Sequence, residues 1–318
     1  MGERKLRLCV ICRGSHHFLN PLLKQWEQKY EIVNDFRIAD TIWVEWANEQ
    51  CILADEQATK KNVIVRVLGS EYYQEFWKAC KYGHIYKWII ENPEYKDIAD
   101  NTEFITEPID TNFWKPISTI QKEPGLLLMV GNFDYYKGQL NLLQTLVERP
   151  NYFKRILFVG EMRPKDVDRK ITANKILKQL IFYAKKHHLN LEFMDYQTPE
   201  SLRELYNRAD IAVSYSINEG SHTSIQEAIA CGCKIIVRDW MGADGTFPGY
   251  VIVSTANDFW EKVDKYRTID RDNEKAGYKE TYFFNQALRE YAECNFSYDI
   301  LIPRINKIIE SASSSILI

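Results

Sequence analysis

The sequence alternates between short, continuous apolar runs and longer segments in which apolar residues recur with helical spacing. The first run, residues 6–12, is broken by Arg13-Gly14-Ser15, and a helical pattern follows over residues 18–30. Continuous apolar runs are typical of strands covered on both faces, and strand, glycine turn and helix open a doubly wound α/β domain. The alternation therefore predicts parallel sheets with helices on both faces.

The alternation occurs twice along the chain. In the first series the strand candidates are residues 6–12, 42–44, 63–67 and 104–105. A charged, proline-bearing stretch precedes the second series, whose candidates are residues 126–130, 156–159, 191–194, 211–213, 234–237 and 250–253. Helical patterns separate them at residues 140–147, 171–187, 199–208 and 224–230, and a last one covers 287–309.

Two series predict two Rossmann-like domains that face each other across a cleft. We place the first domain at residues 1–117 and the second at 118–297, with a last helix, about 298–318, packing back on the first. In open α/β sheets the ligand lies at the carboxyl ends of the strands, so the cleft is the predicted site.

Charge and hydropathy exclude some classes of function. The formal net charge of -3, with acidic and basic residues well mixed, gives no electrostatic reason to expect nucleic acid or an anionic membrane as partner. No stretch approaches the roughly 20 apolar residues of a transmembrane helix. The run at residues 6–12 is too short for a signal peptide, so we expect a cytoplasmic protein.

The chain has seven cysteines, and without a secretion signal they are expected to be reduced thiols. Cys9-x-x-Cys12 has the spacing of a metal or redox pair. It lies inside an apolar, strand-like run, and no second pair stands at zinc-site spacing. Buried, inert thiols are therefore the favoured interpretation.

Residues 209–239 carry the chemistry. A strand leads to Asn218-Glu219-Gly220, and a helix begins at about residues 221–223. The amino end of a helix suits a phosphate or diphosphate, and a glycine lets the ligand approach the backbone. Glu219 can accept hydrogen bonds from a sugar, and Glu227, about two turns along, from ribose hydroxyls. Alone, Glu219 could cap the helix and Glu227 could be solvated; together they favour a nucleotide sugar.

Glu219 and Glu227 are separated by seven residues and followed by A-x-A-C-G-x-x-I-I-V. This pattern resembles the signature of retaining GT-B glycosyltransferases of family GT4, glycosyltransferase group 1. Other segments resemble the family's in the same order, from about residue 104 to the end: residues 110–116, 130–138, 158–161 and 289–296. The resemblance implies a GT-B fold and a retaining enzyme that moves a sugar from a nucleoside-diphosphate sugar, UDP- or GDP-linked, to an acceptor hydroxyl. It also implies no cofactor and no metal.

The resemblance also implies roles for individual residues. Lys137 would contact the diphosphate and balance charge on the departing nucleotide, and Glu219 would hold the donor sugar; these two are the candidate catalytic residues. Glu227 would bind the ribose, Tyr196 would border the nucleobase, and the amides of residues 221–223 would cap the phosphates. The remaining donor-binding candidates are Gly14, Ser15, Gly131, Asn132, Gly220, Ser221, His222 and Thr223.

The sequence departs from the family at two positions. Asn132 stands where the family usually has Arg, which removes a cation from the diphosphate site. Leu68 stands where many relatives have a His, and the hydrogen bond that this His would give the sugar is either missing here or comes from His16 or His17. For His222, a phosphate contact and an exposed helix position are alternative interpretations.

Several questions stay open at this level. A nucleotide-sugar epimerase on the same fold and a non-catalytic nucleotide-sugar-binding module are the rival functions. The acceptor could be a glycan, a lipid-linked sugar, a protein or modified DNA. The aromatic stretch at residues 72–77 suits an acceptor platform or, more simply, helix packing, and residues 239–244 border the cleft without an assigned role.

Overall fold

The computed structural model describes residues 4–12, 19–69, 74–275 and 282–315. The chain divides into two compact units: Met1–Pro108 with Tyr298–Ile318, and Ile109–Ser297. Each unit is built on a parallel sheet flanked by helices, and the described residues place six strands in each sheet. The predicted α/β class, with two Rossmann-like sheets, is confirmed.

The sheet of the first unit has the strand order β2-β1-β3-β4-β5-β6. Its strands are β1 Arg7–Cys12, β2 Glu31–Val33, β3 Thr41–Glu45, β4 Val63–Val67, β5 Ile85–Ile90 and β6 Thr102–Phe104. The helices within this part of the chain are α1 Leu19–Lys29 and α2 Glu49–Gln57, with 3-10 turns at Phe76–Ala79 and Pro93–Ile98.

The sheet of the second unit has the strand order β12-β11-β10-β7-β8-β9. Its strands are β7 Glu123–Val130, β8 Arg155–Val159, β9 Leu191–Met194, β10 Ala209–Ser214, β11 Lys234–Arg238 and β12 Ile252–Val253. Its helices are α3 Gln139–Leu146, α4 Val167–Lys186, α5 Pro199–Arg208, α6 Thr223–Ala230, α7 Ala243–Thr246, α8 Ala256–Lys275 and α9 Tyr282–Asn295, with 3-10 turns at Tyr135–Lys137 and Gly249–Val251.

Both faces of the second sheet are apolar. Side chains alternate between the two faces along a strand, and here both sets are apolar. In β7, Leu127 and Met129 pack with residues of α3, α4 and α8, whereas Leu126 and Leu128 pack with residues of α5, α6 and α9. This two-sided burial explains why the second series of strands reads as continuous apolar runs.

The last helix, α10 (Tyr298–Ser313), belongs to the first unit. Its apolar side packs with Leu8, Trp43 and Ile64 of the first sheet. A buried hydrogen bond from Thr41 Oγ1 to the carbonyl of Ile309, 2.8 Å long, fixes the carboxyl end of α10 at the start of β3. The apolar side chains of α10 therefore cover one face of a sheet whose strands lie near the start of the sequence.

A buried charge cluster lies at the carboxyl ends of the first unit's strands. Arg66 of β4 is 1% exposed and is surrounded by three buried carboxylates, Glu45, Glu91 and Glu107. Its Nη1 lies 3.0 Å from Glu45 Oε1, and its Nη2 bonds both Glu91 and Glu107. Burial raises the pKa of Glu107 well above its ordinary value despite the nearby guanidinium. One guanidinium therefore serves three acids, and one of the acids holds a proton.

Several local expectations differ from the structure. The contact boundary lies at Pro108/Ile109 rather than after residue 117, because Ile109 bridges to Ser297 and Trp114 is buried in the second unit's core. Arg289 holds this segment through the carbonyls of Thr111, Trp114 and Ala230. The helix predicted over 287–309 is two helices separated at residues 296–297, and residues 250–251 form a 3-10 turn before β12.

All seven cysteines are free. Burial, with a smaller contribution from Asp35, raises the pKa of Cys9 to about 11, so that this thiol is protonated at neutral pH. In the parts of the chain that the structure describes, no group of three or more His, Cys, Asp or Glu side chains is arranged to hold a metal ion. Over the same residues, no helix is both long and apolar enough to cross a membrane.

Candidate active site

The chain reverses its direction across the second sheet between β7 and β10. From β7 it moves outward through β8 and β9, and it then returns to place β10 on the other side of β7. The loops that leave β7 and β10 therefore diverge at their carboxyl ends. In open parallel sheets this topological switch point is where ligands bind.

Lys137 lies at the switch point, in the loop that follows β7. Gly131 directly follows the strand, and a β-carbon there would lie 3.6 Å from Lys137 Cδ, so the lysine stem runs over this glycine. Lys137 ends a 3-10 turn, and Gly138 follows in the left-handed conformation with φ of 71°. A β-carbon at Gly138 would lie 2.0 Å from the carbonyl oxygen of Tyr215. Only glycine therefore allows this loop to pack against the exit of β10.

Glu219 reaches the same point from the loop after β10. Its Oε1 lies 2.5 Å from Lys137 Nζ and 2.6 Å from Ser216 Oγ, which donates to it. The side chains of Lys137 and Glu219 are 15% and 10% exposed.

The two charges of this pair sustain each other. Burial opposes ionisation of Glu219, but the charge of Lys137, with the hydrogen bonds from Lys137 and Ser216, outweighs it, and the pKa of Glu219 is lowered. Burial likewise opposes protonation of Lys137, but Glu219 outweighs it, and the pKa of Lys137 is raised. Both groups are therefore charged at neutral pH.

His222 is the residue that precedes α6. Its backbone is left-handed, with φ of 53° and ψ of 57°, and its side chain does not cap the helix. The ring bonds Ser214 Oγ through Nε2, and its Nδ1 lies 3.2 Å from Ser224 Oγ. The expectation of an exposed helix position is wrong, because the residue is only 8% exposed. Burial lowers the pKa of His222 to about 4, so the ring is neutral at pH 7.

Glu227 lies on α6, half-buried against α5. The hydroxyl of the buried Tyr206 donates to Glu227 Oε2 at 3.1 Å. Burial raises the pKa of Glu227 to about 8. A carboxyl held in this state can accept hydrogen bonds from a ligand's hydroxyls, and it resists ionisation until a ligand or higher pH compensates for its burial.

The switch point thus combines a lysine and a carboxylate, both mostly buried, with the amino end of α6. A helix amino end presents backbone N–H groups and a positive partial charge. Together with the Lys137 ammonium it can hold an anionic group, while the carboxylates can accept bonds from neighbouring hydroxyls. This arrangement suits a ligand with both phosphates and sugar hydroxyls.

A family model described as glycosyl transferases group 1 matches residues 110–279, more than half of the chain. The chain belongs to the group 1 glycosyl transferases. It is therefore a transferase that acts on sugars, and the matched residues include both the loop of Lys137 and the loop of Glu219. The sequence has no significant match among curated proteins.

Solved structures show that this glycosyltransferase has the GT-B fold, with two Rossmann-like domains. A glycosyltransferase from Rickettsia africae is 14% identical with a TM-score of 0.70, covering 98% of this chain and all of its own. HepE from Anabaena, solved with UDP and glucose, is 13% identical with a TM-score of 0.70, covering 97% and 100%. Sucrose-phosphate synthase from Thermosynechococcus elongatus is 17% identical with a TM-score of 0.65, covering 92% and 77%.

Some of the predicted donor-site residues of this glycosyltransferase lie together. Gly131, Lys137, Glu219 and His222 meet at the switch point, and Gly220 and Ser221 are buried between Glu219 and His222. Thr223, the first residue of α6, is half-buried.

Other predicted residues lie further out or outside the described ranges. Asn132 is exposed, and its carbonyl accepts a bond from Gln139 Nε2 at 2.7 Å. Tyr196 follows β9 and is 67% exposed. Gly14 and Ser15, with His16 and His17, lie outside the described residues, as do Tyr72 and Tyr73 of the aromatic stretch. Phe76 and Trp77 of that stretch pack partly against the first unit's core.

The sequence prediction missed the residues that support the predicted ones. Ser214, Ser216 and Ser224 bond His222 or Glu219, and Tyr206 bonds Glu227. The available signal was the appearance of serines at the end of an otherwise apolar strand, because a hydroxyl buried there needs a hydrogen-bond partner.

Proposed function

We propose that this glycosyltransferase takes its sugar from a nucleoside-diphosphate sugar and transfers it with retention of the anomeric configuration. The pairing of Lys137 with Glu219 at the switch point, beside the amino end of α6, is the observation that supports this donor. Lys137 would release its bond to Glu219 and contact the diphosphate, and the freed carboxylate would accept bonds from the sugar. UDP and glucose are bound by HepE, which shares the fold.

The other proposed contacts follow from position. Glu227 would accept hydrogen bonds from the ribose hydroxyls, and Tyr196 would border the base. The amides of residues 221–223 would donate hydrogen bonds to the phosphates, near Gly131 and Asn132.

In the transfer step, the bond between the sugar's C1 and the phosphate oxygen breaks, and C1 bonds the acceptor oxygen on the same face. The departing phosphate takes the acceptor's proton, so the step needs no fixed general base. The ammonium of Lys137 stabilises the charge that develops on the departing diphosphate.

Calorimetric titration with UDP and with GDP, in the presence of EDTA, tests the donor class. We expect one of the two to bind, and Glu227→Gln to weaken it at least about tenfold, because an NH2 group that cannot accept from the ribose hydroxyls replaces one carboxyl oxygen. Glu204→Gln, an exposed change on α5, is the matched control. If neither nucleotide binds to the wild-type protein, the proposed donor is wrong.

Slow hydrolysis of UDP-glucose or GDP-glucose tests the chemistry without a known acceptor. We expect release of the nucleoside diphosphate, and retention predicts that the first glucose detected by NMR is the α-anomer. An initial β-anomer would contradict retention. Binding without release over a broad panel of glycan, lipid-linked, protein and modified-DNA acceptors would support the non-catalytic module instead.

A further inference from the structure

The ring of His222 connects the three elements that meet at the switch point. Ser214 is the last residue of β10, Ser224 is the second residue of α6, and Val130 is the last residue of β7. Ser224 Oγ donates to the carbonyl of Val130 at 3.2 Å, and Nδ1 of His222 lies 3.2 Å from the same hydroxyl. Nε2 of the ring bonds Ser214 Oγ.

The direction of these bonds favours one tautomer of the ring. A carbonyl can only accept, so the Ser224 hydroxyl donates its one hydrogen to the Val130 carbonyl. The Ser224 oxygen can then only accept a hydrogen bond from His222 Nδ1. Nδ1 therefore carries the proton. A neutral imidazole then has Nε2 as an acceptor, and Ser214 Oγ must donate to it. The Ser214 oxygen is left to accept from the backbone N–H of Ser216, 3.4 Å away.

This chain of bonds ends at the catalytic pair. Ser216, whose N–H bonds Ser214, donates its own hydroxyl to Glu219 Oε1. Nε2 of His222 lies 3.7 Å from the same carboxylate oxygen, and Glu219 and Lys137 are the charged groups that act on the ring. Moving the ring would therefore move both the loop and the hydrogen-bond donor that orient Glu219.

The backbone at His222 supports a role for the side chain. A left-handed backbone is strained for a residue with a β-carbon, whereas glycine adopts it freely. A buried ring in that conformation is retained against this cost only if its contacts outweigh the strain.

We propose that His222, with a neutral ring protonated on Nδ1, is a positioning residue. It holds the Glu219 carboxylate in the position and orientation that bind the donor sugar. Its consequence for the sugar rests on the proposed nucleotide-sugar donor; the tautomer and the bonding pattern do not. The ring itself contacts no reacting atom in this scheme.

NMR of ¹⁵N-labelled histidine tests the tautomer directly. The chain has six histidines, so the His222 signals can be assigned by their loss in His222→Gly. We expect a protonated Nδ1 and an unprotonated Nε2 at pH 7, with no titration down to pH 6. A proton on Nε2, or an imidazolium at pH 6, would overturn the proposal.

Donor affinity tests the positioning role. Gly keeps the left-handed backbone and removes only the ring, so His222→Gly should bind UDP-glucose about tenfold more weakly while UDP affinity changes far less. His222→Asn, which tolerates the backbone and can donate to Ser224, should recover part of the loss. Thermal unfolding must first show that each variant is folded.

A double-mutant cycle separates positioning from a general loss of packing. Ser214→Ala should reproduce the selective loss for UDP-glucose, and adding it to His222→Gly should cost nothing more, because both break one chain of bonds. Additive losses, or equal losses for UDP and UDP-glucose, would overturn the proposal. If the wild-type protein binds neither ligand, the donor proposal fails, and the NMR result alone decides the arrangement of the ring.

Discussion

Lys137 Nζ and Glu219 Oε1 lie 2.5 Å apart, although their residues are 82 positions apart in the chain. They come from loops that leave two adjacent parallel strands, β7 and β10. Each keeps the other ionised in a site that would otherwise disfavour both charges. A group 1 glycosyltransferase thus holds a charged pair at the point where a nucleotide sugar is proposed to bind.

Removing the lysine charge should impair turnover more than folding. Lys137→Met preserves the apolar stem and removes the ammonium, and we expect donor hydrolysis to slow by about a hundredfold or more, as for other lost transition-state charges. The measurement is the rate of nucleoside-diphosphate release at saturating donor.

The matched control for this variant is Glu192→Gln. Glu192 pairs with Arg155 at 2.7 Å, near the amino ends of β8 and β9, and this surface pair should matter little. Wild-type turnover in Lys137→Met would remove this residue from the mechanism.

The proton on Glu227 should make stability depend on pH. Its pKa in the folded protein is about 8, against an ordinary value of 4.5. Between these values the folded state holds a proton that the unfolded state has lost, so its contribution to stability falls as pH rises and levels off above about pH 8. The free energy of unfolding of Glu227→Gln should therefore rise, relative to that of the wild type, by on the order of 1 kcal/mol per pH unit across this window.

Urea unfolding of both proteins at pH 5, 6.5 and 8 measures this gain. Glu204→Gln, exposed on the neighbouring helix, should run parallel to the wild type. Parallel curves for Glu227→Gln as well would mean that Glu227 ionises normally in the folded protein.

Gly138 should be the least replaceable of three glycines with different surroundings. Gly138→Ala combines a left-handed φ with a β-carbon 2.0 Å from the Tyr215 carbonyl, and we expect a loss of about 3 kcal/mol or more. Gly83→Ala meets nothing within 4 Å but has a φ of 78°, so about 1 kcal/mol is expected. Gly249→Ala has neither problem and should be nearly neutral.

Denaturant unfolding ranks the three variants. A loss for Gly138→Ala no larger than that for Gly83→Ala would mean that the loop shifts away from Tyr215 at little cost. A large loss for Gly249→Ala would show that surroundings and φ do not account for the ranking.

Arg66 should be far more sensitive to substitution than Glu107. Arg66→Met leaves three buried acidic side chains without their cation, which costs about 3–5 kcal/mol for comparable buried pairs. The loss should be smaller at pH 5 than at pH 8, because the carboxylates can then take up protons. Glu107→Gln should be tolerated, since burial already favours its protonated form. Equal losses for the two variants at both pH values would contradict this assignment of the proton.

The sequence predicted the strands of the second unit well for a physical reason, whereas the helix Ala256–Lys275 was missed. Its strands are buried on both faces, so they read as continuous apolar runs and are hard to miss. β5 of the first unit was missed because Lys87 interrupts its pattern, and β2 because only Glu31–Val33 pair. Pro124 was assigned to the connection, yet it lies in β7 near its start, where the lost N–H matters least.

The candidate site was predicted only in part. Glu219, Gly220 and Glu227 stand close together in the sequence around one helix start, so local spacing reveals them. The partnership of Lys137 with Glu219 depends on β10 returning beside β7, which no local pattern encodes. The burial of His222 likewise depends on serines from β10 and α6 that converge only in the fold.

The last helix has a consequence for how the polypeptide is made. Leu8, Trp43 and Ile64 are covered by Leu301, Ile305 and Ile309, which are synthesised only after the whole of the second unit. While the second unit is being synthesised, the nascent chain therefore carries a first sheet with one apolar face uncovered. The first unit therefore cannot complete this buried face before the second unit has been synthesised.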